Sequence, residues 1–326
     1  MTLGVVASFA WAGLEAAGMC ALLSLMEVSF SFDNAVVNAV VLKQMDKKWQ
    51  ERFLTWGMVV AVFGMRFLFP VVVVAFASGL SVYEVVQLAL HDPNEYGHHL
   101  LAANLKISAF GGMFLLMVFL KFIFDETKEL HWCHAIESRL VKLGKLDSIE
   151  VLIAICVLMA MQSVLPESQR LEASLSGLVG LIMYIAVSSF AELISREDSG
   201  KNQMAKAVYS GLSGFIYLQV LDASFSLDGV IGAFAISKDI VVIMLGLGAG
   251  AMFVRSLTVH MVRKGTLDTY QFLEHGAHYG IGVLAIIMLI SMIHPVPEII
   301  TGLVGAVFIG MALISSIRHN SNPPQR

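Results

Sequence analysis

Charge is scarce in this chain of 326 residues: 14% are Asp, Glu, Lys or Arg, against 57% hydrophobic. A soluble globular chain carries nearer a quarter charged residues, so the mean hydropathy of +0.77 points to a bilayer setting. Cysteine is scarcer still. Cys20, Cys133 and Cys156 are scattered, with no CxxC and no zinc-type spacing, which excludes a disulfide framework and leaves them packing roles. A basic surplus is also missing; the net charge of -4 excludes the electrostatic footprint of a nucleic-acid-binding protein. No Lys or Arg precedes Lys43, so the basic n-region of a cleavable signal peptide is lacking, and the first apolar stretch is expected to stay in the mature protein. No HExxH lies on any apolar stretch, which argues against a zinc metalloprotease.

What is present is a series of apolar runs of bilayer-crossing length. They predict an all-α polytopic membrane protein with about nine spans, near 15–42, 53–80, 105–124, 149–166, 174–195, 208–236, 240–262, 276–293 and 298–317, the fourth being the shortest. Basic residues divide sharply between alternate connections. One side holds Lys43, Lys47, Lys48, Arg52, Lys121, Lys128, Arg139, Lys142, Lys145, Arg196, Lys201, Lys206, Arg263, Lys264, Arg318 and Arg326. The other holds Lys106, Arg170 and Lys238, while Arg66 and Arg255 fall inside spans. By the positive-inside rule the N-terminus is expected outside and the C-terminus in the cytoplasm, in a bacterial-type cytoplasmic membrane.

One polar pattern occurs twice inside these runs: EVSFSFDN at 27–34 and DASFSLDG at 222–229. Each carries an acid (Glu27, Asp222), two serines (Ser29 and Ser31, Ser224 and Ser226) and a second acid (Asp33, Asp228). A carboxylate at the centre of a membrane helix is unfavourable by roughly 2.5–3.5 kcal/mol on insertion scales, so a duplicated set reads as a functional site. The motifs fall on spans one and six, an odd number of crossings apart, which makes their helices antiparallel. The chain is therefore read as one integral membrane domain, 1–326, with an inverted repeat. Its first repeat covers about 15–124, its second about 208–317, and 125–207 joins them. Substrate sites of such transporters lie near the midplane, where repeats meet and helices are often interrupted. Antiparallel pairing sets Glu27 level with Asp228 and Asp33 level with Asp222, bringing four carboxylates around one site. On an unbroken helix Glu27, Ser31 and Asn34 share a face and Asp33 points away. Either the helix unwinds around Ser29 to Asp33, or the two acids serve different levels of a pathway.

Each motif span is followed by a span with one arginine, Arg66 in AVFGMRFLFP and Arg255 in GAGAMFVRSL. Four acids and two arginines leave two negative charges, which one divalent cation would neutralise. Oxygen donors suit hard ions such as manganese, calcium or magnesium. A purely structural reading stands beside this one, in which the acids are buried partners of the arginines that fix helix packing and the serines bond helical backbone.

The paired motifs resemble the duplicated acid, serine, Asp-Asn signature of TerC-like membrane proteins within the wider LysE superfamily. The stretches FDNAVVNAVVLKQM, AVFGMRFLFP, FGGMFLLMVFL, LDASFSLDGVIGAFAIS and LEHGAHY resemble a branch of that group. The resemblance implies a helical inverted-repeat fold and export or homeostasis of divalent metal, manganese above all. By position it implies Glu27, Asp33, Asn34, Asp222 and Asp228 as the metal-binding residues, with the metal as transported substrate and no prosthetic group. The reading is of a transporter rather than an enzyme, with protons as a compatible counter-ion; Ser29, Ser31, Ser224, Ser226, Arg66 and Arg255 support the site. Gly229 stands where the first motif has Asn34, which removes an amide from the second half.

Histidines supply weaker signals. His91, His98 and His99, with Asp92 and Glu95, form either a metal platform or a solvated amphipathic surface helix. His131, His134 and Glu137 lie on one helical face, read as solvated or as an ion-sensing patch. Glu274, His275 and His278, with Asp125 and Glu126, are a candidate cytoplasmic funnel. Two rival readings remain. An intramembrane serine protease would use Ser213 of the GLSG segment with His278, but leaves the duplicated acids unexplained. A non-transporting membrane partner protein would need no through pathway.

Overall fold

The computed structural model describes residues 1–128, 130–146, 148–198, 211–294 and 296–321. Every element in them is helical. In chain order they are α1 (Thr2–Phe30), α2 (Phe32–Gln44), α3 (Lys47–Val59), a π-helical segment (Val60–Leu68), α4 (Phe69–Ser78), α5 (Val82–His91), α6 (Pro93–Ala102), α7 (Asn104–Ile123), α8 (His134–Leu143), α9 (Ile149–Val164), α10 (Glu167–Asp198), α11 (Gly211–Ile236), α12 (Ile240–Lys264), α13 (Thr266–Thr269), α14 (Leu273–Ser291) and α15 (Glu298–Ser321). Among the described residues seven helical stretches are long and apolar enough to cross a membrane: α1, the run from α3 into α4, α7, α10, α12, α14 and the later part of α15. The other two expected spans are α9, an apolar helix of 16 residues, and α11, whose 26 residues are interrupted by Gln219, Asp222 and Asp228. The chain is an all-α, multi-pass membrane protein.

Two compact units divide the chain. The first comprises Met1–Ile107 and Val187–Lys264, the second Ser108–Ala186 and Gly265–Arg326. The first unit holds both motifs. Its core is built from α1, α4 to α6, α11 and α12, where Cys20, Leu23, Val71, Val74, Tyr96, Leu100 and Val230 are fully or almost fully buried.

Local chemistry explains where the helices of this unit bend. In α1 the backbone leaves helical geometry at Ala12 and Gly13, and Gly13 takes φ +81°, a conformation that favours glycine. The first turns fold back there, so that Gly4 comes beside Cys20 and Ala249. The straight crossing stretch begins at Leu14, close to the expected start of span one. A second break falls at Ser31, between α1 and α2 (φ -104°, ψ 19°). Here side chains compete with the backbone: Ser29 Oγ donates to the Leu25 carbonyl at 2.8 Å, and Ser31 Oγ to Glu27 Oε1 at 3.0 Å. The ladder still passes through, with Ser31 N bonded to Glu27 O and Ala35 N to Ser31 O. Of the two alternatives, the unwinding over Ser29 to Asp33 is limited to a one-residue break at Ser31.

The π-helical segment precedes Pro70, in the first turn of α4. Proline has no N–H for the carbonyl four residues back and its ring crowds that carbonyl, so the wider turn upstream accommodates it. Glycines set the crossing of α1 with α12. A Cβ on Gly246 would lie 2.6 Å from Leu23 Cβ, and one on Gly250 would lie 2.5 Å from Glu27 Cβ. This small-xxx-small spacing lets two helix backbones approach closely. Along the same contact, Ser24 Oγ reaches across to the Gly246 carbonyl at 2.9 Å.

Candidate functional site

The site is built from α2 outwards. Residues 33 to 39 of this helix are all buried, because α2 packs against both α11 and α12. Asn34 Nδ2 and Asn38 Nδ2 each donate to Asp222 Oδ1 at 2.9 Å. Asp222 Oδ2 pairs with the Arg255 guanidinium, which also donates through Nη1 to the Phe53 carbonyl at 3.3 Å. The guanidinium carbon lies 4.0 Å above the centre of the Phe53 ring, within cation–π range. Asp222 and Arg255 are 4% and 3% exposed, so the pair is buried.

The second acid–arginine pair joins Glu27 to Arg66. Arg66 is presented by the π-helical segment, and Ser226 Oγ of α11 donates to the neighbouring Met65 carbonyl at 3.1 Å. A Cβ on Gly229 would stand 3.3 Å from Glu27 Oε2. Residue 27 therefore lies beside 229 while 34 lies beside 222, so the two motifs run antiparallel, as the span count requires.

Between the pairs is a cavity of about 10 Å³ lined by Asn34, Asn38, Ala61, Arg66, Asp222, Ala251, Val254 and Arg255, room for about one water. Asn34 Oδ1 and Asn38 Oδ1 are buried without a hydrogen-bond partner. The polar wall of the cavity is thus two cations, one carboxylate engaged on both oxygens and two amides with unused oxygens.

The expected ligand set is only partly gathered. Asn34 and Asp222 line the cavity and Glu27 is tied to it through Arg66. Asp33 is buried but does not line it; its Oδ1 accepts from the Asn34 amide at 2.8 Å in the first turn of α2, where a negative charge complements the helix dipole. The side chain of Asp228 lies outside the described residues. Among the described residues no group of three or more His, Cys, Asp or Glu is arranged to hold a metal, and Glu27 and Asp222 are each paired with an arginine. Ser29 and Ser224 bond carbonyls four residues back in their own helices, while Ser31 and Ser226 support Glu27 and the π-helical segment. Asn38 and Gln219 join the polar centre from outside the repeated motif. Their signal in the sequence is helical spacing, i+4 from Asn34 and i-3 from Asp222.

A family model described as a protein of unknown function, DUF475, matches residues 32–323. The chain belongs to the DUF475 family. No curated protein and no solved structure matches it. The DUF475 match takes in Asn34, Asn38, the π-helical segment, Arg66, the whole second motif and Arg255, and begins just after Ser31.

The same match covers a buried cluster in the second unit. Glu137 of α8 is fully buried, which corrects the solvated-face reading of that helix; its neighbour on the expected face, His134, is exposed. Glu137 Oε1 accepts from the Trp132 and Cys133 amides at 3.1 and 2.9 Å and from the Tyr279 hydroxyl at 3.0 Å. Lys128 Nζ stands 2.9 Å from Oε2. Burial opposes the charged carboxylate, but the Cys133 amide and the Lys128 ammonium outweigh it, holding Glu137 below the usual glutamate range. His275 Nε2 meets the Leu130 carbonyl at 2.9 Å. His278 stacks on Phe122 at 3.9 Å, with its Nδ1 on the Glu274 carbonyl at 2.9 Å. Asp125 caps its own turn through Thr127. The histidines of the expected funnel are therefore packed into the protein. Ser213, the nucleophile of the protease reading, belongs to the first unit and His278 to the second. On the surface of the first unit, Asp92 caps α6 and accepts from the Glu95 amide at 3.2 Å. His91, His98 and Glu95 are exposed there while Tyr96 and Leu100 are buried, the pattern of an amphipathic surface helix.

Proposed function

We propose that this DUF475 chain is a multi-pass transporter of divalent cations, with manganese the first to test, and that the polar centre of the first unit forms its pathway. The observation that carries the reading is the duplicated acid–arginine pair, Glu27 with Arg66 and Asp222 with Arg255, buried on antiparallel motifs around a water-sized polar cavity. Buried ion pairs are a poor source of stability, since apolar replacements are often as stable or more so. Two of them in an apolar bundle, with Asn34 and Asn38 beside them, speak for function. The unused amide oxygens and the carboxylates are donors that hard cations prefer. Binding would require Glu27 and Asp222 to exchange a guanidinium for the ion, with Asp33 and Asp228 as further ligands along the path. The resemblance to TerC-like proteins supports the same substrate class. Protons are a compatible counter-ion. The placement in a cytoplasmic membrane, N-terminus outside and C-terminus inside, rests on the distribution of Lys and Arg.

Flux of manganese, calcium and zinc into proteoliposomes tests the reading. Saturable manganese flux is expected with the wild-type chain and not with the Asp33→Asn, Asp228→Asn double variant. A correctly folded wild type that carries none of the three ions would overturn it.

A further inference from the structure

Arg255 sits between two sets of acceptors. On one side is the Asp222 carboxylate. On the other are the Phe53 carbonyl and ring and, close by, the side chain of Gln219. The residue is 8% exposed, and neither the oxygen nor the nitrogen of its buried amide has a hydrogen-bond partner. Burying an amide with both ends unpaired is unfavourable, so a partner is called for. The nearest strong donor is Arg255. Gly57, one turn after Phe53 on α3, keeps the space between them open: a Cβ there would overlap Arg255 Nη1 and lie 3.3 Å from Gln219 Nε2.

We propose that Gln219, Phe53 and Gly57 form a second docking place for the Arg255 guanidinium. Arg255 would leave Asp222 when a cation arrives and return when it departs; this rests on the transport reading of the site. A half-turn of the Gln219 amide presents Oε1 to the guanidinium, the Phe53 ring and carbonyl stay in contact with it, and the absent Cβ at Gly57 leaves room for the movement. Asp222, freed of its guanidinium, then faces the cavity together with Asn34 Oδ1 and Asn38 Oδ1. Arg255 acts as a tethered competitor of the substrate. Gln219 is a positioning residue that sets how readily Arg255 gives way. The arrangement favours a divalent over a monovalent ion, because the incoming charge must displace a resident single positive charge. Arg66, by contrast, has its Nε buried without a hydrogen-bond partner.

Two measurements test this, one of them independent of any ion. The first is a thermal-unfolding cycle in detergent without added metal: wild type, Gln219→Leu, Asp222→Asn and the double variant. In the wild type Gln219 is unpaired, so Gln219→Leu should leave the midpoint unchanged or raise it. With Asp222 neutralised, Arg255 rests on Gln219, so the same change should lower the midpoint by about 2 °C or more. Equal effects in both backgrounds would overturn the proposal. The second is manganese flux by Gln219→Leu and Gln219→Glu. The first should raise the half-saturating concentration by about fivefold or more and the second should lower it, because a carboxylate draws Arg255 off Asp222. Shifts in the same direction, as lost packing would give, would overturn it. Absence of flux in the wild type overturns the transport reading, and the unfolding cycle then decides the docking place alone.

Discussion

Glu27 with Arg66 and Asp222 with Arg255 share one sequence pattern, yet their surroundings differ in kind. Asp222 is engaged on both oxygens: two amides hold one and a guanidinium the other, and that guanidinium rests on an aromatic ring. Glu27 receives Ser31 and Arg66 on a single oxygen, Oε1, and its other oxygen faces the bare backbone of Gly229. Arg255 stands on a regular helix, α12, whereas Arg66 stands on a π-helical segment whose Met65 carbonyl is taken by Ser226. The lesson is that duplication preserved charge and its neutralisation but not solvation. One half supplies a tightly held carboxylate, the other a looser one. Of the four positions at which the motifs differ, Asn34 against Gly229 bears most directly on this, because the amide present in the first half serves the acid of the second.

Removing the arginines is expected to break the comparison most strongly. A buried ion pair that loses one partner costs about 3–5 kcal/mol in stability, since the other charge is left unpaired. Arg255→Met should reach that range, because Asp222 is buried. Arg66→Met should fall below it, because Ser31 still donates to Glu27. Restoring neutrality with Arg255→Met, Asp222→Leu should recover much of the loss. Thermal unfolding in detergent reads all four chains; equal losses for the two single variants would contradict the asymmetry.

The next effect lies in helix packing. Gly250→Ala would drive a methyl group into Glu27 Cβ and Cγ, 2.5 and 2.7 Å away. Overpacking of this kind costs about 1–3 kcal/mol. The damage should fall on the Glu27 half, because Gly250 abuts Glu27 and the Ser24 carbonyl, whereas Asp222 is held by α2 and Arg255. In flux assays Gly250→Ala should therefore behave like a Glu27 variant. A loss matching Asp222→Asn instead would show that the two halves respond as one.

Much of this asymmetric pair is legible in the amino-acid sequence alone. The duplicated acids, their antiparallel placement and the paired arginines follow from the unfavourable energy of charge in an apolar helix and from counting spans. The observed registers, 27 with 229 and 34 with 222, lie one residue from the expected levels of 27 with 228 and 33 with 222. What the pattern does not show is who holds whom. Periodicity places Glu27 and Asp222 on buried faces, but the choice between an ion and a guanidinium as partner depends on side chains from other helices. Asn38 and Gln219 carry only a spacing signal, easily read as core polar residues. Glu137 reads as solvated because α8 is short and charged; its burial depends on Tyr279 and Lys128, which lie on other segments of the chain. The π-helical segment has a visible cause in Pro70, but its contacts through Arg66 and the Met65 carbonyl come from other helices.

The smallest contrast lies among the serines, and it isolates the part played by the π-helical segment. Ser224 and Ser226 are two residues apart on α11 and both buried, so simple counting treats them alike. Ser224 Oγ bonds the carbonyl four residues back in its own helix, at 3.1 Å, an acceptor that the backbone ladder also serves. Ser226 Oγ bonds the Met65 carbonyl on the segment that carries Arg66. Removing a donor to a buried acceptor costs about 1 kcal/mol on average, so Ser226→Ala should lower stability by about that amount. Ser224→Ala should change it by only a few tenths, as back-bonding serines contribute little to a helix. Combining each with Arg66→Met separates local from coupled effects: Ser226→Ala should be less damaging once the arginine is gone, because the segment then has no charge to position, while Ser224→Ala should be simply additive. Additivity for both serines would mean that Ser226 holds the helix and not the arginine, and that the irregular segment is shaped by Pro70 alone.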